Sequence, residues 1–218
     1  MKKKTLTIAI ALVLVVALAV GATWAYLTAQ SGPVVNTFTA GKAVAQNDLK
    51  LYESKAVQGT DGTYTLGTDK VTSNAYTVMP GVNLPKDPTV EVTKAEGPYY
   101  LFVEVTKGDQ VGNNDTTKAL SYTVDGSKWV KLEGITGDRE VYAYTNGGTA
   151  PAIMSATVTA TVLKDNIITV SGNETLTNAL TADSAKLTFT AYACQAAGFD
   201  TAVKAFNDCF GTPATTNP

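Results

Sequence analysis

Ala185-Lys186-Leu187-Thr188-Phe189-Thr190-Ala191-Tyr192-Ala193 is the stretch that decides the fold class. Leu187, Phe189, Ala191 and Ala193 fall on one side of an extended chain, and Lys186, Thr188, Thr190 and Tyr192 on the other. That period of two belongs to a strand with one buried face, because successive side chains of a pleated backbone point in opposite directions. Thr157-Val158-Thr159-Ala160-Thr161-Val162 repeats it, with a Thr at every second position for the wet face. Val90 and Val92 alternate with Thr89, Glu91 and Thr93. Residues 99–106 are more apolar, with Leu101, Val103 and Val105 inward, as a central strand requires.

Further strands are expected at 34–40, 49–56, 75–79, 119–124, 128–132, 140–145 and 166–170. Turn residues separate them: Asp61-Gly62, Pro80-Gly81, Gly112-Asn113-Asn114-Asp115, Asp125-Gly126, Gly137-Asp138 and Asn146-Gly147-Gly148. Asp125-Gly126, between two apolar runs, reads as a two-residue hairpin with both residues at positive φ. Pro80-Gly81 reads as a type II turn, Pro fixing φ at the second position and Gly allowing positive φ at the third. No stretch reads as a βαβ crossover. About ten antiparallel strands at this spacing predict an all-β fold, an antiparallel β-sandwich that is jelly-roll-like or Ig-like. A short C-terminal helix follows: Asp200 is placed to cap 201–210 and Gly211 to stop it. Val203, Phe206 and Phe210 share its apolar face, which is expected to cover an open end of the sandwich. Residues 175–180 offer one more helical turn.

The first 25 residues read as an export signal. Lys2, Lys3 and Lys4 precede an apolar run from Ile8 to Val20, and Gly21-Ala22-Thr23-Trp24-Ala25 follows. Small residues at Thr23 and Ala25 predict cleavage between Ala25 and Tyr26. An uncleaved anchor is the alternative, since the stretch from Thr5 to Ala25 is long enough to span a bilayer; that segment is the chain's one expected contact with a membrane. Residues 26–211 then form a single domain, and 212–218 a polar, Pro-containing tail expected to be disordered. Losing the three lysines leaves 14 of the 17 basic residues against all 19 acidic ones, a net charge of −5.

Composition narrows the chemistry. The 218 residues include no His, which removes the commonest general base and the usual catalytic zinc ligand. One arginine, Arg139, makes no nucleic-acid footprint. No catalytic constellation, metal set or cofactor motif stands out. Asp109, Asn113, Asn114 and Asp115 cluster in an oxygen-rich loop without the ligand order of an EF-hand, and read as a solvated hairpin loop. Tyr99, Tyr100, Trp129, Tyr142 and Tyr144 are candidates either for the core or for an exposed sugar-binding surface. Cys194 and Cys209, in an exported chain, either tie the last strand to the terminal helix or remain two free thiols. A bridge there would contribute about 3 kcal/mol by loop entropy.

Several of these stretches together resemble a known family. Gly21-Ala22-Thr23-Trp24-Ala25-Tyr26-Leu27-Thr28, followed by Val35-Asn36-Thr37-Phe38-Thr39-Ala40-Gly41, is similar to the signal junction and first strand of the TasA/camelysin family of Gram-positive bacteria. Val78-Met79-Pro80-Gly81-Val82-Asn83-Leu84-Pro85-Lys86-Asp87-Pro88-Thr89-Val90, Tyr100-Leu101-Phe102-Val103-Glu104-Val105, and Ala191-Tyr192-Ala193-Cys194-Gln195 with Gly198-Phe199 resemble later segments of it. The resemblance implies a signal segment cut by a SipW-type signal peptidase, and a secreted jelly-roll protein of the cell surface or biofilm matrix. It further implies self-association into fibres through a donor strand, here Val34, Val35, Asn36, Thr37, Phe38, Thr39 and Ala40, with Phe38 the chief anchor; the alternative reading is that 34–40 pairs within its own sheet, and the sequence leaves the two open. Camelysin brings a metallopeptidase label, which the absence of His leaves without residue support. The expectation is therefore a non-enzymatic matrix protein, with a monomeric glycan- or protein-binding surface module as the alternative.

Overall fold

The computed structural model describes residues 43–137 and 139–211. Its strands, in chain order, are β1 (Leu49–Gln58), β2 (Tyr64–Val71), β3 (Leu84–Pro85), β4 (Thr89–Val92), β5 (Tyr99–Lys107), β6 (Val111–Asn113), β7 (Leu120–Tyr122), β8 (Trp129–Lys131), β9 (Glu140–Tyr144), β10 (Val158–Thr161), β11 (Ile167–Val170) and β12 (Leu187–Gln195). Among the described residues the helices are α1 (Glu174–Asn178) and α2 (Ala202–Phe210), with single 3-10 turns at Gln46–Asp48 and Lys164–Asn166.

These strands build an antiparallel β-sandwich. In one layer β10 pairs with β4, β4 with β1 and β1 with β2, while β3 pairs with β11 and β11 with β7. β3 and β4 are two parts of one bent ribbon, as are β10 and β11. Val162 N–H donates to Pro88 O at 2.8 Å and Lys86 N–H to Asn166 O at 2.7 Å across the bend, so the pairing is continuous. The second layer runs β12-β5-β9-β8. From β4 onward the chain passes back and forth between the layers, to β5, β7, β9, β10 and β12, which is jelly-roll-like wrapping.

Alternation decides what fills the space between the layers. Leu101, Val103 and Val105 of β5 and Phe189 of β12 meet Val90 and Val92 of β4 and Val158 and Ala160 of β10. Thr157 and Thr159 are exposed, as their positions in the repeat require. β5 is buried on both faces because Tyr100 and Phe102, on its back, lie under α2. Phe206 of α2 meets the Phe102 ring edge-to-face, centroids 5.2 Å apart. Burying such an aromatic contributes about 2–3 kcal/mol.

The helix therefore covers the back of the second layer and not an open end of the sandwich. Asn207 explains the placement: its side chain accepts from Thr136 N–H and donates to Gly134 O, both at 3.0 Å, stitching α2 to the β8–β9 loop. The cap is also one residue later than expected. Thr201 takes the extended N-cap conformation and its Oγ1 accepts from Lys204 N–H at 3.1 Å. Gly211 keeps negative φ; a Cβ there would stand 2.2 Å from Asn207 O, so the glycine serves close approach.

Three more readings need correction. Asp125-Gly126 is not a two-residue hairpin, and neither residue has positive φ. Asp125 Oδ1 accepts from Ser127 N–H and its carbonyl from Lys128 and Trp129 N–H, making a wider turn that carries the chain from β7 in one layer to β8 in the other. Residues 75–79 form no strand, because their polar groups bond to side chains and loops: Thr77 N–H donates to Tyr64 Oη at 2.7 Å and Tyr76 Oη to Pro85 O at 2.7 Å. Gly112-Asn113 lies in β6, which pairs parallel to β7 through a short return loop, an exception to the antiparallel rule. Pro80-Gly81 does form its turn, with Gly81 at φ 76° and Val82 N–H donating to Met79 O at 3.1 Å.

Candidate functional site

Sheet edges are where a sandwich can accept another chain, since an outer strand leaves every second N–H and C=O unpaired. Among the described residues the edges differ sharply. β6 and β8 are three residues long. β2 carries Gly67, Asp69 and Lys70, and its pairing with β1 is broken by an irregularity at Ser54–Ala56. Charges, short length and irregularities are the usual guards against edge-to-edge pairing.

β12 has none of these guards. It runs nine residues, Leu-Thr-Phe-Thr-Ala-Tyr-Ala-Cys-Gln, without charge, proline or glycine. Its register with β5 is unbroken from Leu187 opposite Lys107 to Gln195 opposite Tyr99. Two hollows have residues of β12 in their walls. One, about 530 Å³, lies beside the C-terminal half and is walled by Ala43, Leu49, Ala191, Ala193, Phe199 and Phe210. The other, about 740 Å³, lies beside the N-terminal half, walled by Leu51, Tyr76, Leu84, Leu187 and Phe189 with Glu53 and Lys86 among them. Among the described residues β12 pairs with β5 alone, so a strand laid along it would meet both hollows.

Several contacts hold this edge rigid. Cys194 and Cys209 are joined as a disulfide, Cα atoms 6.5 Å apart, which fixes the end of β12 to α2 at the rim of the smaller hollow. Tyr192 Oη donates to Glu104 Oε2 at 2.8 Å. Arg139 forks onto the same carboxylate, Nε to Oε1 at 2.8 Å and Nη2 to Oε2 at 2.7 Å, and its Nη1 donates to Phe210 O at 2.8 Å at the C-terminus of α2. These bonds, Arg139 foremost, hold the Glu104 carboxyl below the usual glutamate value. Burial, then Glu104, pushes the Tyr192 hydroxyl up.

The other residues singled out from sequence have other places. Tyr99, Tyr100, Trp129 and Tyr142 are buried and Tyr144 half-buried, so they form core and not an exposed sugar-binding surface. Trp129 Nε1 donates to Thr161 O at 2.9 Å, and its ring meets Tyr144 edge-to-face. Asn113 donates to Glu140 Oε1 at 3.0 Å, and Asp115 folds back on Thr117, so Asp109, Asn113, Asn114 and Asp115 do not converge as a ligand set. Ala25, Tyr26, the Val34 to Ala40 segment and the 212–218 tail lie outside the described residues. No helix among the described residues is long and apolar enough to cross a membrane. Sequence reasoning marked β12 as a strand but missed that it is the outer strand of its sheet among the described residues; the signal was the lack of any charge between Lys186 and Asp200. No protein family, curated protein or solved structure matches the chain.

Proposed function

We propose that the chain is an exported structural protein of the cell surface or matrix that assembles head to tail, the 34–40 ribbon of one copy adding a strand to β12 of the next. The single observation that carries this reading is the nine-residue unguarded edge with hollows along it. Length supports it: seven extended residues span about 23 Å, within the reach of a nine-residue strand. Placement supports it as well. Ala43, the first described residue after the 34–40 stretch, stands in the wall of the smaller hollow with its carbonyl bonded to Glu96 N–H at 2.8 Å, so chain and groove are near one another in sequence and space. Such an interface is heterologous and propagates into a filament. Alternation would send Val34, Asn36, Phe38 and Ala40 to one side of the added strand, with Phe38 the largest apolar group for a hollow.

In this reading the chain is a scaffold and not an enzyme, and its partners are a SipW-type signal peptidase and further copies of itself. The alternative, a monomeric glycan- or protein-binding module, is less favoured because four of the five aromatics it drew on are buried and Tyr144 is half-buried. The test is protein beginning at Tyr26, followed by light scattering and electron microscopy beside a version beginning at Gly41 and a Phe38→Ala variant. Filaments from the first, monomers from the second and slowed growth of the third are expected. Monomers throughout, over a wide range of concentration and pH, would end the proposal.

A further inference from the structure

Alternation turns Leu49, Leu51 and Glu53 of β1 inward, and likewise Leu84, Lys86, Pro88, Val90 and Val92 of the β3–β4 ribbon. Two of these interior positions are charged. The Glu53 and Lys86 side chains are each only 11% exposed, and Lys86 Nζ donates to Glu53 Oε1 at 2.6 Å. An isolated pair of this kind gains little over apolar side chains of similar size, because desolvation offsets the attraction.

A third group makes the pair chemically interesting. Asn74 Nδ2 donates to the other carboxylate oxygen, Glu53 Oε2, at 3.1 Å, and to Ser54 O at 2.9 Å. Asn74 Oδ1 accepts from Ala56 N–H at 2.8 Å. An amine and a carboxamide are thus held on the two oxygens of one carboxylate, and the amide carbonyl is polarised by a backbone N–H. Lys86 Nζ has no second hydrogen-bond partner among the described residues. The Phe189 ring is 5.8 Å away, and Lys86 shares the wall of the larger hollow with Leu51, Tyr76 and Leu84 beside the polar Thr72, Ser73 and Thr188.

We propose that Lys86 and Asn74 join spontaneously in an intramolecular isopeptide bond, with Glu53 carrying the protons. For this step Nζ hands a proton to Glu53 Oε1, which it already meets at 2.6 Å, and so becomes a nucleophile. The Nζ lone pair attacks Asn74 Cγ, and the oxygen charge that develops is met by Ala56 N–H. The Nζ–Cγ bond forms and the Cγ–Nδ2 bond breaks. Glu53 relays the two protons lost by Nζ to Nδ2, which leaves as ammonium. Glu53 ends ionised, and no oxidant or cofactor is consumed. Positioning supplies the rate, since amine and amide no longer have to find one another. The product ties the segment after β2 to the ribbon beside β1, closing the loop from 74 to 86.

Peptide mapping of the reduced, denatured protein decides the matter. Trypsin cuts after a free lysine. A linked chain therefore gives residues 71–94 as one peptide, lighter than its composition by one ammonia, about 17 Da, with no fragment ions from breaks between 74 and 86. Glu53→Gln and Asn74→Ala are expected to give normal cleavage after Lys86. If the folded wild-type protein is cleaved there and its peptides have full mass, the bond does not form and Asn74 only caps the β1 irregularity. The same mass loss with Lys86 still cleavable would indicate a succinimide at Asn74 and would equally overturn the proposal. Because the wild-type map is itself decisive, variants that fail to fold leave the result intact.

Discussion

Arg139 does the work of several residues. It forks onto Glu104, caps the last carbonyl of α2 through Phe210 O, and lies over the Phe206 ring with its central carbon 4.7 Å from the centroid. A lysine has one charge centre and cannot reproduce that fork. Arg139→Lys is expected to cost about 1–3 kcal/mol, read as a lower urea midpoint with an unchanged slope. Glu140 is a second such hub. Burial acts to raise its pKa, but hydrogen bonds from Lys107, Tyr142 and Tyr122 outweigh it and the net direction is down. Glu104 is also lowered, both from an ordinary value of 4.5. A carboxyl lowered on folding adds stability that is complete above the unfolded value and lost as pH falls through the folded one. Unfolding free energy should therefore be level above pH 4.5 and fall below it. Glu104→Gln and Glu140→Gln should each lower the plateau and flatten the decline, measured by denaturant titration across that range. None of these pairings was legible beforehand. Glu104 and Arg139 are 35 residues apart, Lys86 and Glu53 33, and only the layer order makes them neighbours.

Elements were more legible than the joints between them. β10 follows from alternation because one face is wet, and β12 because Thr188 and Thr190 are wet although α2 covers Tyr192 and Cys194 on the same face; β5 follows from its apolar run, because both of its faces are covered. Turn chemistry was less reliable. Pro80-Gly81 acts locally, so its two residues suffice, whereas Asp125-Gly126 joins strands in different layers and tertiary demand overrides the dipeptide. β6 was hidden because three residues rich in turn formers carry no period, and β2 because Gly67, Asp69 and Lys70 dilute its pattern. At the helix the difference between Asp200 and Thr201 is testable. Thr201→Ala should cost about 1 kcal/mol through the lost cap, while Asp200→Ala should change stability little, both read from thermal midpoints. The Cys194–Cys209 bridge holds the same helix. Cys194→Ser with Cys209→Ser should cost about 3 kcal/mol or less, and hydrogen exchange should show α2 amides opening before those of β5.

At the scale of the whole molecule, edge and charge set the behaviour together. Residues from 26 onward carry a net −5, so on the proposed assembly like-charged copies would repel one another while the uncharged β12 is offered for pairing. Repulsion between surfaces is screened over about 10 Å at 0.1 M salt, whereas backbone pairing and apolar filling are not. Filament growth should therefore accelerate as salt rises from a few millimolar and level off near physiological strength; growth that slows with salt would point instead to charge-paired assembly. The edge itself can be guarded without touching the fold. Thr188 and Thr190 are exposed on β12, on the face away from Phe189, and lysines there change no buried contact. Thr188→Lys with Thr190→Lys should keep the monomer's unfolding free energy within about 1 kcal/mol of the original while slowing growth at every salt concentration. The reason is that an incoming strand must then bury or displace two charges beside each new backbone bond. Unchanged growth by the double variant, followed by light scattering beside the parent protein, would place the growing contact on some surface other than β12.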